Sequence, residues 1–205
     1  MTKLTNLLGN TAETAGADEA ATAVRVLAVD GSPTGGGRTG AAIAAVASAA
    51  AEAGATVETI AIGEQVGDGI ERALAALGRA DAIVLGSPVY RASFAAPLKQ
   101  LLDLVPRSND DERDSLLAGK AVAIVHSGAS LHHFLSLDPL RDVLAGFFAA
   151  HVVPPGLYVP RAGFGDDSAL LDPYTEHARR QGKALVELAE LLQQSTVLRS
   201  LRPHA

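Results

Sequence analysis

Residues 26–40 read VLAVDGSPTGGGRTG, an apolar run that passes into glycines and hydroxyl side chains just before an alanine-rich helical pattern. A strand, a glycine-rich turn and the start of a helix together form an anion-binding arrangement. The backbone N–H groups of the turn and the positive end of the helix then point at the same place. The stretch therefore predicts a phosphate-binding loop within an α/β fold.

Short apolar runs alternate with helical patterns along the rest of the chain. We predict strands at 24–29, 56–62, 81–86 and 120–126, and a weaker one at 151–159, with amphipathic helices between them. Such alternation requires parallel strands with right-handed crossovers, and helices on both faces of the sheet. We expect a flavodoxin-like three-layer α/β sandwich with a five-stranded parallel sheet of order 2-1-3-4-5. Ligands of such folds bind beyond the carboxyl ends of the strands, so the loops after strands 1, 3 and 4 should carry the site.

Length and composition limit the domain count and the classes of partner. With 205 residues and 48% hydrophobic content, one domain is expected. We place it at 24–198, between a flexible N-terminal extension at 1–23 and a C-terminal tail at 199–205. A net charge of -6 argues against nucleic acid and anionic membranes as partners. No stretch is apolar enough to span a membrane, and a cytoplasmic location is expected.

The chain contains no cysteine, which excludes disulfides, thiolate metal sites and cysteine nucleophiles. Any redox chemistry must therefore come from a cofactor. Three histidines, His126, His132 and His133, lie close together in sequence, but no carboxylate has ligand spacing with them, and we predict no metal site.

Two nucleotide motifs partly match the opening stretch. Gly31 and Gly36 have the spacing of a P-loop, but Gly37 stands where that motif needs its lysine. The dinucleotide fingerprint G-x-G-x-x-G is present as Gly35, Gly37 and Gly40, with Glu58 near the distance of a ribose-binding acid. However, five residues separate its first glycine from the strand. Neither motif has its usual context, although the dinucleotide interpretation stays open.

A phosphate monoester suits the same loop better, because it needs a closed cup of short donors. Ser32, Thr34 and Thr39 supply hydroxyls, the glycines supply N–H groups, and Arg38 supplies a charged fork near the start of the helix. A glycine turn without any ligand is the remaining alternative.

The loops after strands 3 and 4 suit a planar group beside this cup. The stretch GSPVYRASFAAPLKQLLDLV at 86–105 contains Pro88, which fixes the backbone, and Tyr90, which offers a flat ring. In HSGASLHHF at 126–134, small residues at 127–130 allow the backbone to approach a ligand closely. We expect both loops to lie next to the cup.

With these stretches the chain resembles the NADPH-dependent FMN reductase family, most closely the members that supply reduced flavin to sulfonate monooxygenases. The resemblance covers about residues 24–160. It is carried by GSPTGGGRT, GSPVYRASFAAPLKQLLDL and GKAVAIVHSGASLHHFLSLD. It implies that the FMN phosphate is held by Ser32, Thr34, Arg38 and Thr39. The isoalloxazine ring would lie among Pro88, Val89, Tyr90, Arg91, Ser127, Gly128, Ala129 and Ser130.

The chain departs from the family pattern at four places. Thr34 and Gly37 stand where relatives tend to have arginine and serine, which removes one charge and one hydroxyl from the cup and predicts weaker FMN binding. Ala129 replaces a glycine of the third loop. Pro139 directly follows Asp138, where close relatives carry an extra aromatic residue.

The resemblance implies hydride transfer from NADPH or NADH to N5 of FMN, with no protein group required as general acid. Reduced FMN would then be released to a flavin-dependent monooxygenase. The alternatives are a quinone, azo or nitro reductase that retains FMN, and an electron carrier of the flavodoxin type. The family also implies a homodimer or homotetramer.

Overall fold

The computed structural model describes residues 23–63, 68–106 and 115–202. Residues 1–22 of the predicted N-terminal extension, and residues 203–205 of the predicted tail, lie outside these ranges.

The described residues form one sheet in which five strand positions are parallel. Its first four parallel strands are β1 (Arg25–Asp30), β2 (Thr56–Ala61), β3 (Ala82–Tyr90) and β5 (Ala121–Gly128). The fifth position holds β6 (His151–Val152) and β7 (Leu157–Pro160), both paired with β5. The strand order is β2-β1-β3-β5-β6, which confirms the predicted order 2-1-3-4-5.

Two features of the sheet differ from the sequence prediction. The expected strand at 151–159 is split, because Pro154 and Pro155 lack the N–H groups that would continue the ladder. Strand β3 runs four residues beyond the expected end at 86 and turns back into β4 (Ser93–Phe94), which pairs with it in antiparallel fashion. The second predicted loop is therefore a short β-hairpin.

Helices lie between the strands as predicted, and two more follow the last strand. They are α1 (Gly37–Glu52), α2 (Gly69–Leu77), α3 (Ala96–Leu104), α4 (Leu137–Asp142), α5 (Tyr174–Gln194) and α6 (Thr196–Ser200). A 3-10 helix at Leu131–Ser136 precedes α4, and a π-helical turn at Val143–Phe147 follows it. The predicted start of the tail at residue 199 falls inside α6. Among the described residues, no helix has the length and apolarity needed to cross a bilayer.

Two apolar cores, one on each face of the sheet, make the three layers. Helices α1 and α5 cover one face, where Ile43, Val46 and Leu185 pack against Ala28, Val84 and Val125. Helices α2, α3 and α4 cover the other face, where Leu77, Leu98 and Leu140 pack against Leu27, Ile83 and Ile124. The predicted sandwich is confirmed.

Candidate flavin-binding site

The carboxyl ends of three neighbouring strands meet at one edge of the sheet. Asp30 of β1 is in register with Gly86 of β3, and Pro88 of β3 is in register with Ser127 of β5. This register brings together the three loops that the sequence analysis selected. The predicted residues on these loops are Ser32, Thr34, Arg38, Thr39, Pro88, Val89, Tyr90, Arg91, Ser127, Gly128, Ala129 and Ser130.

The first loop begins with a close backbone approach. The Gly31 N–H donates to Gly86 O at 2.8 Å. A Cβ atom at position 31 would lie 2.8 Å from that same oxygen and 2.9 Å from the Cβ of Leu98. Only glycine fits here, because strand β3 and helix α3 leave no space for a side chain.

Three consecutive glycines shape the rest of the loop. Gly35, Gly36 and Gly37 have φ angles of 70°, 73° and 60°, which lie in the left-handed region that favours glycine. The chain then enters α1. Within the described part of the chain, the N–H groups of Gly37, Arg38 and Thr39 have no acceptor, since the first bond of the helix runs from Gly40 N–H to Gly36 O. These N–H groups at the positive end of a helix can bind an anion.

A carboxylate that the sequence analysis did not select organises the loop. The buried Asp30 ends β1, and its Oδ1 accepts hydrogen bonds from Ser32 N–H at 2.9 Å and from Ser32 Oγ at 2.6 Å. Its Oδ2 accepts a bond from Gly36 N–H at 2.6 Å. The sequence signal for this role is that Asp30 stands two residues before Ser32 at the end of an apolar strand. Asp side chains at such positions accept hydrogen bonds from the backbone two residues further on, in Asx-type turns.

The predicted phosphate ligands differ in what they can still donate. The Ser32 hydroxyl hydrogen is used by Asp30. Thr39 is buried, and its Oγ1 lies 2.7 Å from Ser127 Oγ, so one of these two hydroxyls donates to the other and the second keeps its hydrogen. Thr34 and Arg38 are exposed, and neither side chain has a partner among the described residues. Thr34 and Arg38 are therefore the most available side-chain donors.

The second loop is the β3–β4 hairpin. Val89 pairs with Phe94 and Tyr90 with Ser93. Tyr90 is 56% exposed, so its ring is available to a ligand or partner. The buried Ser87 closes the hairpin, since its Oγ donates to Pro88 O at 2.9 Å and accepts from Ala95 N–H at 2.8 Å. The predicted residues 88–91 thus lie on a hydrogen-bonded hairpin at the edge of the site.

The third loop is fixed from behind by Tyr158 of β7. Its hydroxyl donates to Ser130 O at 2.6 Å, and a Cβ atom at Gly128 would lie 2.2 Å from the same hydroxyl. Burial, with a smaller effect of Tyr174, raises the pKa of Tyr158, so the phenol stays protonated and remains a donor. A side chain at position 128 would therefore displace Tyr158 from its bond to Ser130. Tyr158 was also missed by the sequence analysis, because it lies within an otherwise apolar strand.

The histidines near this loop do not converge on one point. His126 is fully buried, and its Nδ1 lies 3.2 Å from Ser136 Oγ. Burial lowers the pKa of His126 to about 4, which makes it neutral at physiological pH. His132 and His133 are exposed, and His132 Nδ1 lies 3.2 Å from Ser130 Oγ. In the ranges that the structure describes, no cluster of three potential ligands could hold a metal ion.

A separate cleft of about 480 Å³ lies at the opposite edge of the sheet, where β3 and β5 begin. Lys120 lines it, and burial lowers the pKa of this lysine to about 8. Its ammonium donates to the carbonyl of Leu77, the last residue of α2. Lys120 therefore satisfies a helix end, and its cleft is far from the three converging loops.

Comparisons with known proteins identify the family of the chain. The sequence model of the family described as NADPH-dependent FMN reductase matches residues 24–163. An NADH-dependent FMN reductase of Pseudomonas putida, SfnF, is 38% identical over 100 residues, which are 49% of this chain and 50% of that protein. The chain thus spans about half the length of the curated relatives it matches.

Solved structures share the fold. The apo form of an NADH:FMN oxidoreductase, EMOB, superposes with a TM-score of 0.66 at 23% identity, and covers 87% of this chain and 95% of its own. A WrbA-like flavodoxin from Agrobacterium tumefaciens superposes with a TM-score of 0.63 at 22% identity, over 82% of this chain and 99% of its own. At these identities the likeness shows the flavodoxin-like fold alone.

Proposed function

The chain belongs to the NADPH-dependent FMN reductase family, and from this premise we propose that it reduces FMN with NADPH or NADH. The observation that carries the proposal is the row of N–H groups at Gly37, Arg38 and Thr39, which have no acceptor in the described residues. They lie at the edge of the sheet where the hairpin and the third loop also end.

The residues of the first loop fit the phosphate of FMN. A phosphate monoester carries close to two negative charges at neutral pH and accepts several hydrogen bonds. The N–H groups at the start of α1, the exposed Thr34 hydroxyl and the exposed Arg38 guanidinium supply such donors. Arg38 adds the only positive side chain among the residues predicted to contact the phosphate.

The hairpin and the third loop would flank the isoalloxazine ring. Pro88 to Arg91 would lie along one side, while Ser127 to Ser130 bring backbone groups and small side chains to the ring's polar edge. When bound, FMN supplies the acceptor for a hydride from the nicotinamide. The protein's part is to hold and orient the two reactants and to limit water at the ring, and no side chain is assigned as an acid or base.

We further propose that reduced FMN leaves the protein and serves a flavin-dependent monooxygenase. The support is the resemblance to reductases of sulfonate monooxygenase systems and the open site, in which Thr34, Arg38 and Tyr90 are exposed. The homodimer or homotetramer and the cytoplasmic location stay predictions.

The experiment mixes the full chain with FMN and either NADPH or NADH in the absence of oxygen, and follows the absorbance of flavin and nicotinamide. We expect the absorbance of oxidised FMN and of the reduced nicotinamide to fall over many turnovers of the protein. Ultrafiltration should then return reduced FMN in the filtrate. Retention of stoichiometric reduced flavin would reject the release step, and absence of any flavin reduction would reject the function.

Arg38→Ala tests where the phosphate binds. We expect its affinity for FMN to fall about tenfold, the usual value of a charge-assisted bond, while affinity for riboflavin stays unchanged. Arg79→Ala, which removes an exposed arginine at the opposite edge of the sheet, is the matched control and should leave both affinities unchanged. Equal loss of FMN and riboflavin affinity in Arg38→Ala would contradict the phosphate assignment.

A further inference from the structure

The phosphate cup already contains an anion that belongs to the protein. Asp30 is only 4% exposed, and its carboxylate takes two bonds from Ser32 and one from Gly36 N–H. Its Oδ2 also lies close to the first turn of α1, since a Cβ atom at Gly40 would be 3.2 Å from it. The carboxylate thus lies beside the start of α1, between Gly36 and Gly40, where the N–H groups of Gly37–Thr39 have no acceptor among the described residues.

This position affects a bound phosphate in two ways. First, Asp30 accepts hydrogen bonds from three donors of the loop, which are then not available to the phosphate. An ionised carboxylate has no hydrogen of its own, so Asp30 cannot donate a bond to the phosphate in their place. Second, a phosphate on the N–H groups of Gly37–Thr39 would lie next to a partly desolvated carboxylate of the same sign. Like charges at such short range repel strongly where water is partly excluded.

The same bonds hold the loop in shape without a ligand. In many anion-binding loops the bound anion accepts the hydrogen bonds of the backbone N–H groups. Here Asp30 accepts those of Ser32 and Gly36. Asp30 therefore supplies hydrogen bonds that shape the loop and do not come from flavin, so flavin gains little from organising it.

We propose that Asp30 is a specificity-determining residue that keeps the contribution of the FMN phosphate to binding small, so that FMN exchanges as a substrate. This inference rests on the proposed function and deepens it. It implies that the wild-type protein discriminates weakly between FMN and riboflavin, which lacks the phosphate.

The test compares Asp30→Asn with the wild-type full chain by titrating FMN and riboflavin separately and following the quenching of flavin fluorescence. Asparagine keeps one oxygen for the bonds from Ser32, removes the charge, and frees Gly36 N–H for the phosphate. We expect FMN to bind at least about tenfold more tightly to the variant, with riboflavin affinity changed by less than about twofold.

Glu190→Gln is the matched control, because it removes the same charge from an exposed position near the far end of α5. It should leave both affinities unchanged. Unchanged or weaker FMN binding in Asp30→Asn would overturn the proposal, and so would an equal gain for both flavins or an equal gain in Glu190→Gln.

Two further measurements keep the test decisive. If Asp30→Asn does not fold, Asp30→Ser removes the carboxylate while retaining an oxygen acceptor, and the same gain for FMN is expected. In the wild-type protein, FMN should bind no more than about tenfold more tightly than riboflavin, and a hundredfold preference would overturn the proposal. Failure of the wild-type protein to bind either flavin would instead reject the proposed function itself.

Discussion

Three hydroxyls of similar appearance in the sequence have different surroundings in the structure. Ser32 donates to Asp30, Thr39 is hydrogen-bonded to Ser127, and Thr34 is exposed without a described partner. The Thr39–Ser127 bond joins residues 88 positions apart and ties the start of α1 to the third loop. Because both hydroxyls are buried, loss of either would leave the other without its partner, which is costly inside a protein.

His126 supports a prediction about pH. Its pKa in the folded protein is about 4 because of burial, whereas an unfolded histidine titrates near 6.5. Between these values the unfolded chain binds the proton and the folded chain does not, so the free energy of unfolding falls as pH decreases from 6.5 to 4. The full loss from this residue is roughly 3 kcal/mol.

Urea unfolding at several pH values between 7 and 4 measures this contribution. Replacing His126→Gln should flatten the dependence of the unfolding free energy on pH, because the side chain no longer titrates. His132→Gln, which changes an exposed histidine of the 3-10 helix that follows β5, should retain the wild-type slope. Identical slopes for wild-type and His126→Gln would show that His126 does not couple protonation to folding.

At the scale of elements, the β3–β4 hairpin contains an unusual turn. Its two central residues, Arg91 and Ala92, have φ angles of 53° and 63°, although neither is glycine. Left-handed geometry at both positions is typical of the tight turns that match the twist of a β-ribbon, and it costs a non-glycine residue roughly 1 kcal/mol. Such strain next to the proposed ring site indicates that the position of Tyr90 depends on the turn.

Ala92→Gly should therefore raise the free energy of unfolding by roughly 0.5–1 kcal/mol, because glycine adopts this φ angle without strain. The measurement is urea unfolding. Ala44→Gly, at an exposed position within α1, is the control and should lower the same free energy by about 1 kcal/mol. A loss of stability in Ala92→Gly would show that the turn stores no relievable strain.

At the scale of the whole molecule, the layer formed by α1 and α5 depends on small residues. Helix α1 is rich in alanine, and α5 approaches it at Gly182. A Cβ atom on Gly182 would lie 2.3 Å from Val46 O and 2.7 Å from Ala49 Cβ. Two of the nearest three atoms belong to the backbone of α1, which moves only if the two helices separate.

Gly182→Ala should lower the free energy of unfolding by roughly 1–3 kcal/mol, since the overpacking exceeds the gain in helix propensity. Gly146→Ala is the control, because a Cβ atom there meets nothing within 4 Å. It should be neutral or slightly stabilising in the same unfolding experiment. Equal stability of Gly182→Ala and wild-type would mean that the layers adjust more easily than this packing indicates.

The amino-acid sequence by itself determined the alternation of strands and helices, the strand order, and the edge where three loops meet. These features follow from apolar periodicity and from the handedness of crossovers, which are properties of whole segments. The family followed from motifs in the same loops. The ends of elements did not follow from periodicity, because the strand expected at 151–159 is split into β6 and β7.

Only the tertiary structure decided which donors of the proposed phosphate-binding loop have no acceptor among the described residues. Asp30 accepts hydrogen bonds from Ser32 and Gly36, and Ser127 is hydrogen-bonded to Thr39. Strand register and helix packing bring these atoms within hydrogen-bonding distance. A residue pattern specifies which groups can form hydrogen bonds, but the choice among partners depends on distances of a few tenths of an ångström. Those distances are set by how the sheet, α1 and the third loop pack together.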